Sequence, residues 1–470
     1  MARFVGRTRE LAMLQRLLDR VATSEPARPG KALLIRGRRR VGKSRLVEEF
    51  IARAGVPVLF FTASTRTSAE ELRLFADEAQ RSALPGAALF AGTSLTTWEG
   101  ALRLLVAAVP DDRPSIVVLD ELPYLTASDP AFEGTLQKLF DRELSRKPVL
   151  LIGIGSDLAM MEALNAYGRP FHQRATELVV PPLSPAEVGT MLDLPAAEAF
   201  DAFLVTGGLP LICDEWPRGM SRTAYLADAT AYPTSALLVS AERALAAEFP
   251  THAQALTVLT VIGSGERTFK AIAQHAGIPE ASLTRSLATL VDKRMVAAFR
   301  PLSVRPSRET RYHITDPYLR FWLAFLGPHL TEIERGRGDL IARRIAAGWT
   351  SWRGRAIEPI IRESLERLPD DSQPGSATVF GGYWTRTNHP EVDLIGADKA
   401  PVAGRIHVVG SIKWLEDAPF DRHDLAALAG QREEVPGANS GTPLLAVSRS
   451  GCTADIPHLG PEQLLAAWPT

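Results

Sequence analysis

The sequence lacks the features that would mark a secreted, zinc-binding or membrane protein. Cys213 and Cys452 are the only cysteines in 470 residues, which excludes a disulfide framework and a cysteine zinc site and is typical of a reducing compartment. The longest apolar runs, such as residues 101–110, are much shorter than a membrane span, and nothing before Phe4 resembles a signal peptide. We therefore expect a soluble, cytoplasmic protein without a membrane partner.

A strong charge of one sign is also missing. The formal net charge is −1, so the overall composition gives no argument for binding nucleic acid, and any basic surface must be local. The other fractions, 46% hydrophobic and 23% charged, are those of an ordinary globular protein. Because 470 residues are too many for one hydrophobic core, the length predicts about three domains.

The most informative stretch is a glycine loop at residues 37–44, with the pattern G-x-x-x-x-G-K-S. An apolar run at 32–35 predicts a buried strand before it, and residues 45–52 predict a helix after it. A chance match would lack this strand–loop–helix context, in which such a loop surrounds the phosphates of a nucleotide. Lys43 is expected to reach the β- and γ-phosphates of ATP, and the Ser44 hydroxyl to hold Mg²⁺. The predicted nucleotide contacts in this loop are Gly37, Arg40, Val41, Gly42, Lys43, Ser44 and Arg45.

Two carboxylates and a serine follow later apolar runs. Asp120 and Glu121 end a predicted strand at 115–121, and Ser156 follows another at 149–154. We assign Asp120 to the Mg²⁺ shell and Glu121 to the general base that activates water. The alternative is that Asp120 and Glu121 simply face solvent at the end of the strand and have no role in catalysis. Ser156 is assigned either to sensing the γ-phosphate or to capping a helix at 157–164.

The order of these segments predicts the fold class. Strands at 32–35, 58–61, 115–121, 149–154 and 177–180 alternate with helices at 69–81, 97–109 and 130–144. This alternation predicts an α/β domain with a doubly wound parallel sheet. A mostly helical stretch follows from 185 to 247.

Residues 252–315 have a different pattern. Three short helices at 252–262, 268–275 and 280–293, followed by a hairpin of strands 296–300 and 310–314, are typical of a winged helix-turn-helix. The segment holds nine Lys/Arg against four Asp/Glu. The third helix is therefore expected to read duplex DNA through Ser282, Thr284, Arg285 and Ser286. Arginines of an exposed hairpin tip, Arg305, Arg308 and Arg311, are expected to hold phosphates. The alternative is that this winged helix acts as a structural lever and does not contact DNA.

Several motifs together resemble the archaeal-type ATPase family, a branch of the signal-transducing (STAND) P-loop ATPases close to AAA+ proteins. They are Phe-Val-Gly-Arg-x-x-Glu at 4–10, the glycine loop, Leu-Asp-Glu-Leu-Pro-Tyr-Leu at 119–125, Gly-Ser-x-x-x-Met-Met-Glu at 155–162, Tyr-Gly-Arg at 167–169 and Thr-Gly-Gly-Leu-Pro at 206–210. The resemblance implies ATP and Mg²⁺ as ligands.

The same resemblance implies roles for residues outside the glycine loop. Gly6 and Arg7 would lie near the base and sugar, and Gly208 and Pro210 would belong to a lid over the nucleotide. Arg169 or Arg174 would be the arginine finger that reaches a neighbouring subunit of a homo-oligomer, although each arginine alone also suits a plain surface role.

The C-terminal part resembles the restriction-endonuclease-like PD-(D/E)xK module of longer family members. Residues 354–358, 391–393 and 409–414 match its helix and its two strands, with Glu358, Asp393 and Lys413 at the site positions. Ser411 stands where the pattern has glutamate, and a serine hydroxyl is a much weaker Mg²⁺ ligand than a carboxylate. We therefore interpret the module as a degenerate nuclease that binds DNA without cutting it, with Lys413 and Trp414 contributing charge and stacking.

The resulting domain prediction is a RecA/AAA-like ATPase core at 1–183, a helical lid at 184–250, a winged helix at 251–316, a helical connector at 317–348 and a nuclease-like α/β domain at 349–470. Three functions remain open: an ATP-dependent switch acting on DNA or a protein partner, an ATP-driven nuclease, and a DNA-binding regulator whose affinity is set by nucleotide.

Overall fold

The computed structural model describes residues 4–23, 28–156, 158–164, 174–249, 253–369 and 374–469. The chain divides into two compact units, Met1–Pro182 and Leu183–Thr470. The finer division into lid, winged helix, connector and nuclease-like domain stays a prediction. Within these described ranges, no helix has the length and apolar character needed to cross a membrane.

The first unit contains a five-stranded sheet in which all neighbours pair in parallel, in the order β2-β3-β4-β1-β5. Its strands are β1 (Lys31–Arg36), β2 (Val58–Thr62), β3 (Ser115–Asp120), β4 (Val149–Gly155) and β5 (Ala175–Val179). Its helices are α1 (Thr8–Thr23), α2 (Lys43–Ala54), α3 (Ser68–Arg81), α4 (Trp98–Ala108), α5 (Leu122–Ser128), α6 (Phe132–Arg142) and α7 (Leu158–Leu164). The predicted α/β fold class is confirmed.

The inner residues of the central strands β1, β3 and β4 are apolar because both faces of this sheet are covered. Side chains alternate along a strand, so Leu33 and Ile35 of β1 enter one core with residues of α1 and α2. Leu34 points to the opposite face, into a core built with α3, α4 and α6. Helix α5 was not predicted; Pro123 lies in its first turn, where proline is well tolerated.

The second unit combines helices with two sheets. Its helices are α8 (Pro185–Leu192), α9 (Ala196–Thr206), α10 (Pro210–Asp214), α11 (Arg222–Ala231), α12 (Ala236–Glu248), α13 (Ala253–Gly263), α14 (Phe269–Ala276), α15 (Glu280–Asp292), α16 (Pro317–Phe325), α17 (Leu330–Glu334), α18 (Gly338–Arg367), α19 (Arg422–Glu434) and α20 (Pro461–Ala466). Its strands are β6 (Val296–Phe299), β7 (Arg311–Ile314), β8 (Val379–Trp384), β9 (Glu391–Ala397), β10 (Ile406–Lys413), β11 (Leu444–Ser448) and β12 (His458–Leu459).

The larger sheet of this unit is mixed, with the order β12-β11-β10-β9-β8. Strands β8, β9 and β10 pair antiparallel, whereas β10, β11 and β12 pair in parallel. Strands β9 and β10 correspond to the two strands expected for the nuclease-like module, at 391–393 and 409–414, whereas β11, β12, α19 and α20 were not predicted. The expected boundary at 348/349 falls inside the continuous helix α18.

The segment that joins β6 to β7 was expected to be an exposed tip, but residues 301–303 are buried and only part of it, including Arg305 and Arg308, is exposed. The Leu302 amide donates to the Gly382 carbonyl (2.9 Å), and Ser303 pairs with Val402 next to the mixed sheet. The Leu302 side chain is buried in a core with Val392 and other residues of that sheet. The physical reason is that burying an apolar side chain such as that of Leu302 is favourable, by about 1.5–3 kcal/mol.

Candidate functional site

The glycine loop between β1 and α2 has a backbone that only a few residue types adopt easily. Gly42 precedes the first residue of α2 with φ of +89°, and Arg40 has φ of +66°. A Cβ on Gly37 would lie 2.6 Å from the Val180 carbonyl oxygen, so no larger residue fits there without a shift. Val41 is fully buried beneath the loop, and the Arg45 side chain is exposed beside Glu48. The chain thus forms a narrow turn whose amides precede a helix N-terminus, as phosphate binding requires.

Lys43 lies in this turn, not at the protein surface. Its side chain is buried, and Nζ donates hydrogen bonds to the carbonyls of Gly37 (2.9 Å) and Arg38 (3.0 Å). Desolvation lowers the pKa of Lys43, and the negative charges of Glu121 and Asp120 oppose that shift. A buried ammonium held by carbonyls inside a glycine loop is suited to binding an anion.

The two predicted Mg²⁺ ligands are in direct contact. Ser44 Oγ donates to Asp120 Oδ2 at 2.8 Å, because the loop follows β1 and Asp120 ends β3 at the same sheet edge. Burial raises the pKa of Asp120, while the hydrogen bonds from Ser44 and from the Glu121 amide act in the opposite direction. A hydroxyl and a carboxylate paired in this way fit the oxygen-ligand chemistry of Mg²⁺.

Glu121 and Ser156 form a second pair at this edge. Ser156 Oγ lies 2.9 and 3.0 Å from the two carboxylate oxygens of Glu121, so the serine hydroxyl donates to that carboxylate. Glu121 has φ of +54°, an uncommon backbone state for a residue with a side chain. Backbone strain of this kind is concentrated at functional sites, where it fixes the direction of a side chain.

The Glu121–Ser156 contact predicts the effect of a Ser156→Ala substitution. Removing the donor leaves the Glu121 carboxylate without an orienting hydrogen bond of the charge-assisted kind, worth about 1.5–3 kcal/mol. We expect ATP turnover to fall about tenfold or more, with unchanged ATP affinity and with rescue by Ser156→Thr. Steady-state phosphate release and equilibrium ATP binding measure the two quantities. Lower thermal stability with normal turnover would instead support a helix-capping role.

The N-terminal segment is connected to the glycine loop. Gly6 and Arg7 both have positive φ, and the buried Arg7 guanidinium donates to the Val41 carbonyl at 2.9 Å. Gly6 lines an open pocket of about 380 Å³ between α1 and α2. The predicted role of Gly6 and Arg7 near the base and sugar stays a prediction.

Three other predicted residues lie further along the chain. Gly208 has φ of +67°, and a Cβ there would collide with the Leu183 backbone, whereas Pro210 begins α10. Their expected role in a lid stays a prediction. Arg174 forms an ion pair with Asp141, with Nε and Oδ2 2.9 Å apart, and Arg169 lies outside the described residues.

The predicted nuclease-like residues meet at the mixed sheet, but with unexpected partners. Asp393 accepts hydrogen bonds from Ser411 Oγ (3.3 Å) and from the Ile412 amide (3.1 Å). Burial, together with the charge of Glu358, raises the pKa of Asp393 to about 6. The Glu358 carboxylate is paired with Arg362 at 2.8 Å, and Lys413 forms an ion pair with Asp424 of α19.

This arrangement does not fit a divalent cation. Arg362 donates both to Glu358 and to the Asp393 carbonyl, so a guanidinium lies where metal ligands would have to converge. Among the described residues, no group of three or more Asp, Glu, His or Cys side chains could hold a metal ion. Sequence reasoning missed Arg362 and Asp424. The spacing of four residues from Glu358 on one helix could have indicated Arg362, whereas Asp424 was recognisable only as part of a helix-capping pattern after Asp421.

Comparison with known proteins agrees with the geometry of the first unit. Residues 3–152 match the family described as AAA ATPase domain. The matched part includes the glycine loop and the two carboxylates Asp120 and Glu121. Residues 322–424 match a second family, described as archaea bacterial proteins of unknown function.

Similar proteins cover most of the chain. The uncharacterized protein MJECL04 of Methanocaldococcus jannaschii is 24% identical over 405 residues, which are 83% of this chain and 84% of that protein. Two solved structures are also similar, each with a TM-score of 0.46. The Walker-type ATPase PABY2304 of Pyrococcus abyssi is 19% identical and covers 68% of this chain and 96% of its own. The Aeropyrum pernix ORC2 protein with ADPNP and ADP is 17% identical and covers 73% of this chain and 96% of its own.

Proposed function

We propose that this protein is an ATP-binding and ATP-hydrolysing switch of the archaeal-type branch, in which the nucleotide state governs the second unit. The observation that carries the proposal is the edge of the parallel sheet, where Ser44 is paired with Asp120 and Ser156 with Glu121. Two such pairs next to a buried P-loop lysine supply a metal-binding pair and an oriented base.

Each side chain has a separate task in ATP hydrolysis. The amides of the glycine loop and the Lys43 ammonium bind the phosphates, and Ser44 and Asp120 are the residues that would hold Mg²⁺. When bound, Mg²⁺ neutralises the charge on the β- and γ-phosphate oxygens. Glu121 orients the attacking water and accepts its proton, while the Ser156 hydroxyl keeps the carboxylate in position.

The proposed output is binding of duplex DNA, with recruitment of a protein partner as the alternative. Thr284 and Arg285 of α15 are exposed, although Ser286 is buried and cannot reach a base. Arg305 and Arg308 are exposed and suit phosphate contacts. Arg311 does not suit a phosphate contact, because its guanidinium is buried and forms an ion pair with Glu391, with Nη1 and Oε1 2.6 Å apart. One exposed arginine on α15 and two on the segment that joins β6 to β7 support modest, salt-sensitive DNA binding.

We propose that the mixed-sheet region binds without cutting. Lys413 is held by Asp424, and Arg362 occupies the region between Glu358 and the Asp393 carbonyl. We also propose that Arg169 or Arg174 is the arginine finger that reaches a neighbouring subunit. For Arg174, reaching a neighbouring subunit would require breaking its partly exposed ion pair with Asp141, a bond of small net energy.

One experiment tests ATP turnover and the DNA output together. The full-length protein is incubated with supercoiled and linear DNA and Mg²⁺, with and without ATP, while phosphate release, DNA mobility and DNA integrity are followed. We expect phosphate release that EDTA abolishes, ATP-dependent changes in mobility, and intact DNA. Cleavage that is lost in Lys413→Ala would establish the nuclease instead. Phosphate release without any mobility change would point to a protein partner.

A further inference from the structure

Five arginines of the second unit converge next to the region where the degenerate nuclease site would need a cation. They come from separate elements: Arg267 precedes α14, Arg311 begins β7, Arg320 lies on α16, and Arg355 and Arg362 lie on α18. Arg311 and Arg267 approach the same Glu391 oxygen, at 2.6 and 3.7 Å. Arg355, Glu358 and Arg362 share one face of α18, and α16, which carries Arg320, packs on that helix through the rings of Phe321 and Trp352, whose centres are 5.6 Å apart. The charges of Glu358, Arg267 and Arg355 also act on Arg320.

The carboxylates of the cluster are already used by two of the arginines. Arg311 binds Glu391 and the side-chain oxygen of Asn388, and its guanidinium lies 4.4 Å from the centre of the Trp384 ring. Arg362 binds Glu358 and the carbonyl of Asp393. These two guanidiniums are therefore fixed and largely neutralised by their surroundings.

Arg320 and Arg355 have no such partners. Within the described part of the chain, neither guanidinium makes a hydrogen bond or an ion pair. Arg320 is half-buried, and desolvation lowers its pKa to about 10; Glu358 opposes this shift, and Arg267 and Arg355 add to it. Arg355 is exposed and gives the cluster an opening to solvent. A half-buried guanidinium with unused donors gains from an anion that accepts its hydrogen bonds.

The geometry points to a phosphate-binding site formed by Arg267, Arg320 and Arg355. Five arginines against the three carboxylates Glu358, Glu391 and Asp393 leave an excess of two positive charges. A backbone phosphodiester carries one negative charge and inorganic phosphate about 1.5–2; both present several strong acceptors, which guanidinium groups bind with paired hydrogen bonds. The phosphate comes either from a nucleic-acid backbone or from free inorganic phosphate. This site goes beyond the proposed ATP switch, because none of its residues lies in the glycine-loop unit.

Thermal unfolding with inorganic phosphate tests the site directly. The full-length Lys43→Ala protein serves as the background, so that the glycine loop contributes little to phosphate binding. We expect phosphate to raise the Tm of this background protein. Adding Arg320→Met should remove that response while leaving the Tm without phosphate equal or higher, because the variant eliminates an unpaired, half-buried positive charge next to other arginines. Arg355→Gln, at an exposed position, should weaken the response without affecting folding.

The nucleic-acid arm uses a fluorescently labelled short duplex without terminal phosphates, with neither ATP nor Mg²⁺ present. If the phosphate is that of a nucleic-acid backbone, Arg320→Met and Arg355→Gln should each lower the affinity about tenfold, which is about 1.4 kcal/mol. The matched control is Arg335→Gln. Arg335 is an exposed arginine in the turn before α18, and the first residue of that helix lies about 26 Å from Arg355 along the helix axis.

The two arms separate the sources of the phosphate. A loss confined to the duplex arm assigns the site to a nucleic-acid backbone, and a loss confined to the inorganic-phosphate arm assigns it to free phosphate. Equal responses of the background protein, Arg320→Met and Arg355→Gln in both arms would overturn the site. Because both measurements omit ATP hydrolysis, a failure of the proposed switch would leave this result unaffected.

Discussion

A Lys43→Ala variant is expected to lose measurable ATP binding. The Lys43 ammonium is buried, it is held by the carbonyls of Gly37 and Arg38, and its charge is the one closest to the expected phosphates. Removing one partner of a desolvated charge pair costs about 2–5 kcal/mol, which corresponds to about a thirtyfold or greater loss of affinity. Titration with a fluorescent ATP analogue measures the dissociation constant.

The matched control is Lys138→Ala, in the same unit. Lys138 is an exposed lysine paired with Glu99 at the surface, where such pairs contribute little. This variant should bind ATP as the wild type does. An unchanged dissociation constant in Lys43→Ala would contradict the assignment of the glycine loop.

A Glu121→Gln variant is expected to separate ATP binding from hydrolysis. The glutamine side chain has the same shape and can still accept a hydrogen bond from Ser156, so ATP affinity should change by no more than a few-fold. It cannot accept a proton from water, so turnover should fall by about 10²–10⁴-fold, the contribution typical of a positioned general base. Single-turnover phosphate release measures the chemical step without interference from product release.

The control for the charge change is Glu99→Gln, a partly exposed carboxylate on α4 of the same unit. Normal turnover in this variant combined with slow turnover in Glu121→Gln assigns the effect to the position of Glu121. Turnover in Glu121→Gln equal to that of the wild type would place the base elsewhere.

Much of the first unit was predictable from the chain alone, because its signals are local. The apolar run before Gly37 and the helix after Ser44 predicted β1 and α2, and both are present. The pairing of Ser44 with Asp120 also followed, because parallel strands place their carboxyl ends at one sheet edge. The contact between Ser156 and Glu121 was not predicted, since it depends on the unusual backbone angle of Glu121.

The second unit was harder to predict because its important contacts join distant parts of the chain. The β6–β7 segment looked like an exposed, arginine-rich tip, but Leu302 is buried beneath it and Arg311 is paired with a residue 80 positions away. The pairing of Lys413 with Asp424 and the location of Arg362 depend on how α18 and α19 pack near β9 and β10. Nothing in the local pattern distinguishes an arginine that faces solvent from one that, like Arg362, donates to a strand distant in the chain.

By itself, the sequence determined that residues 37–44 form a glycine loop between a strand and a helix of a parallel α/β sheet and that Ser411 departs from the nuclease pattern. Both conclusions rest on residue identity and short-range spacing, which the chain carries directly. Only the tertiary structure decided which charges are paired. Arg311 and Arg362 are neutralised by carboxylates, whereas Arg320 and Arg355 are left without partners. The reason is that the pairing of charges depends on distances of a few ångströms between side chains from different elements, and packing alone sets those distances.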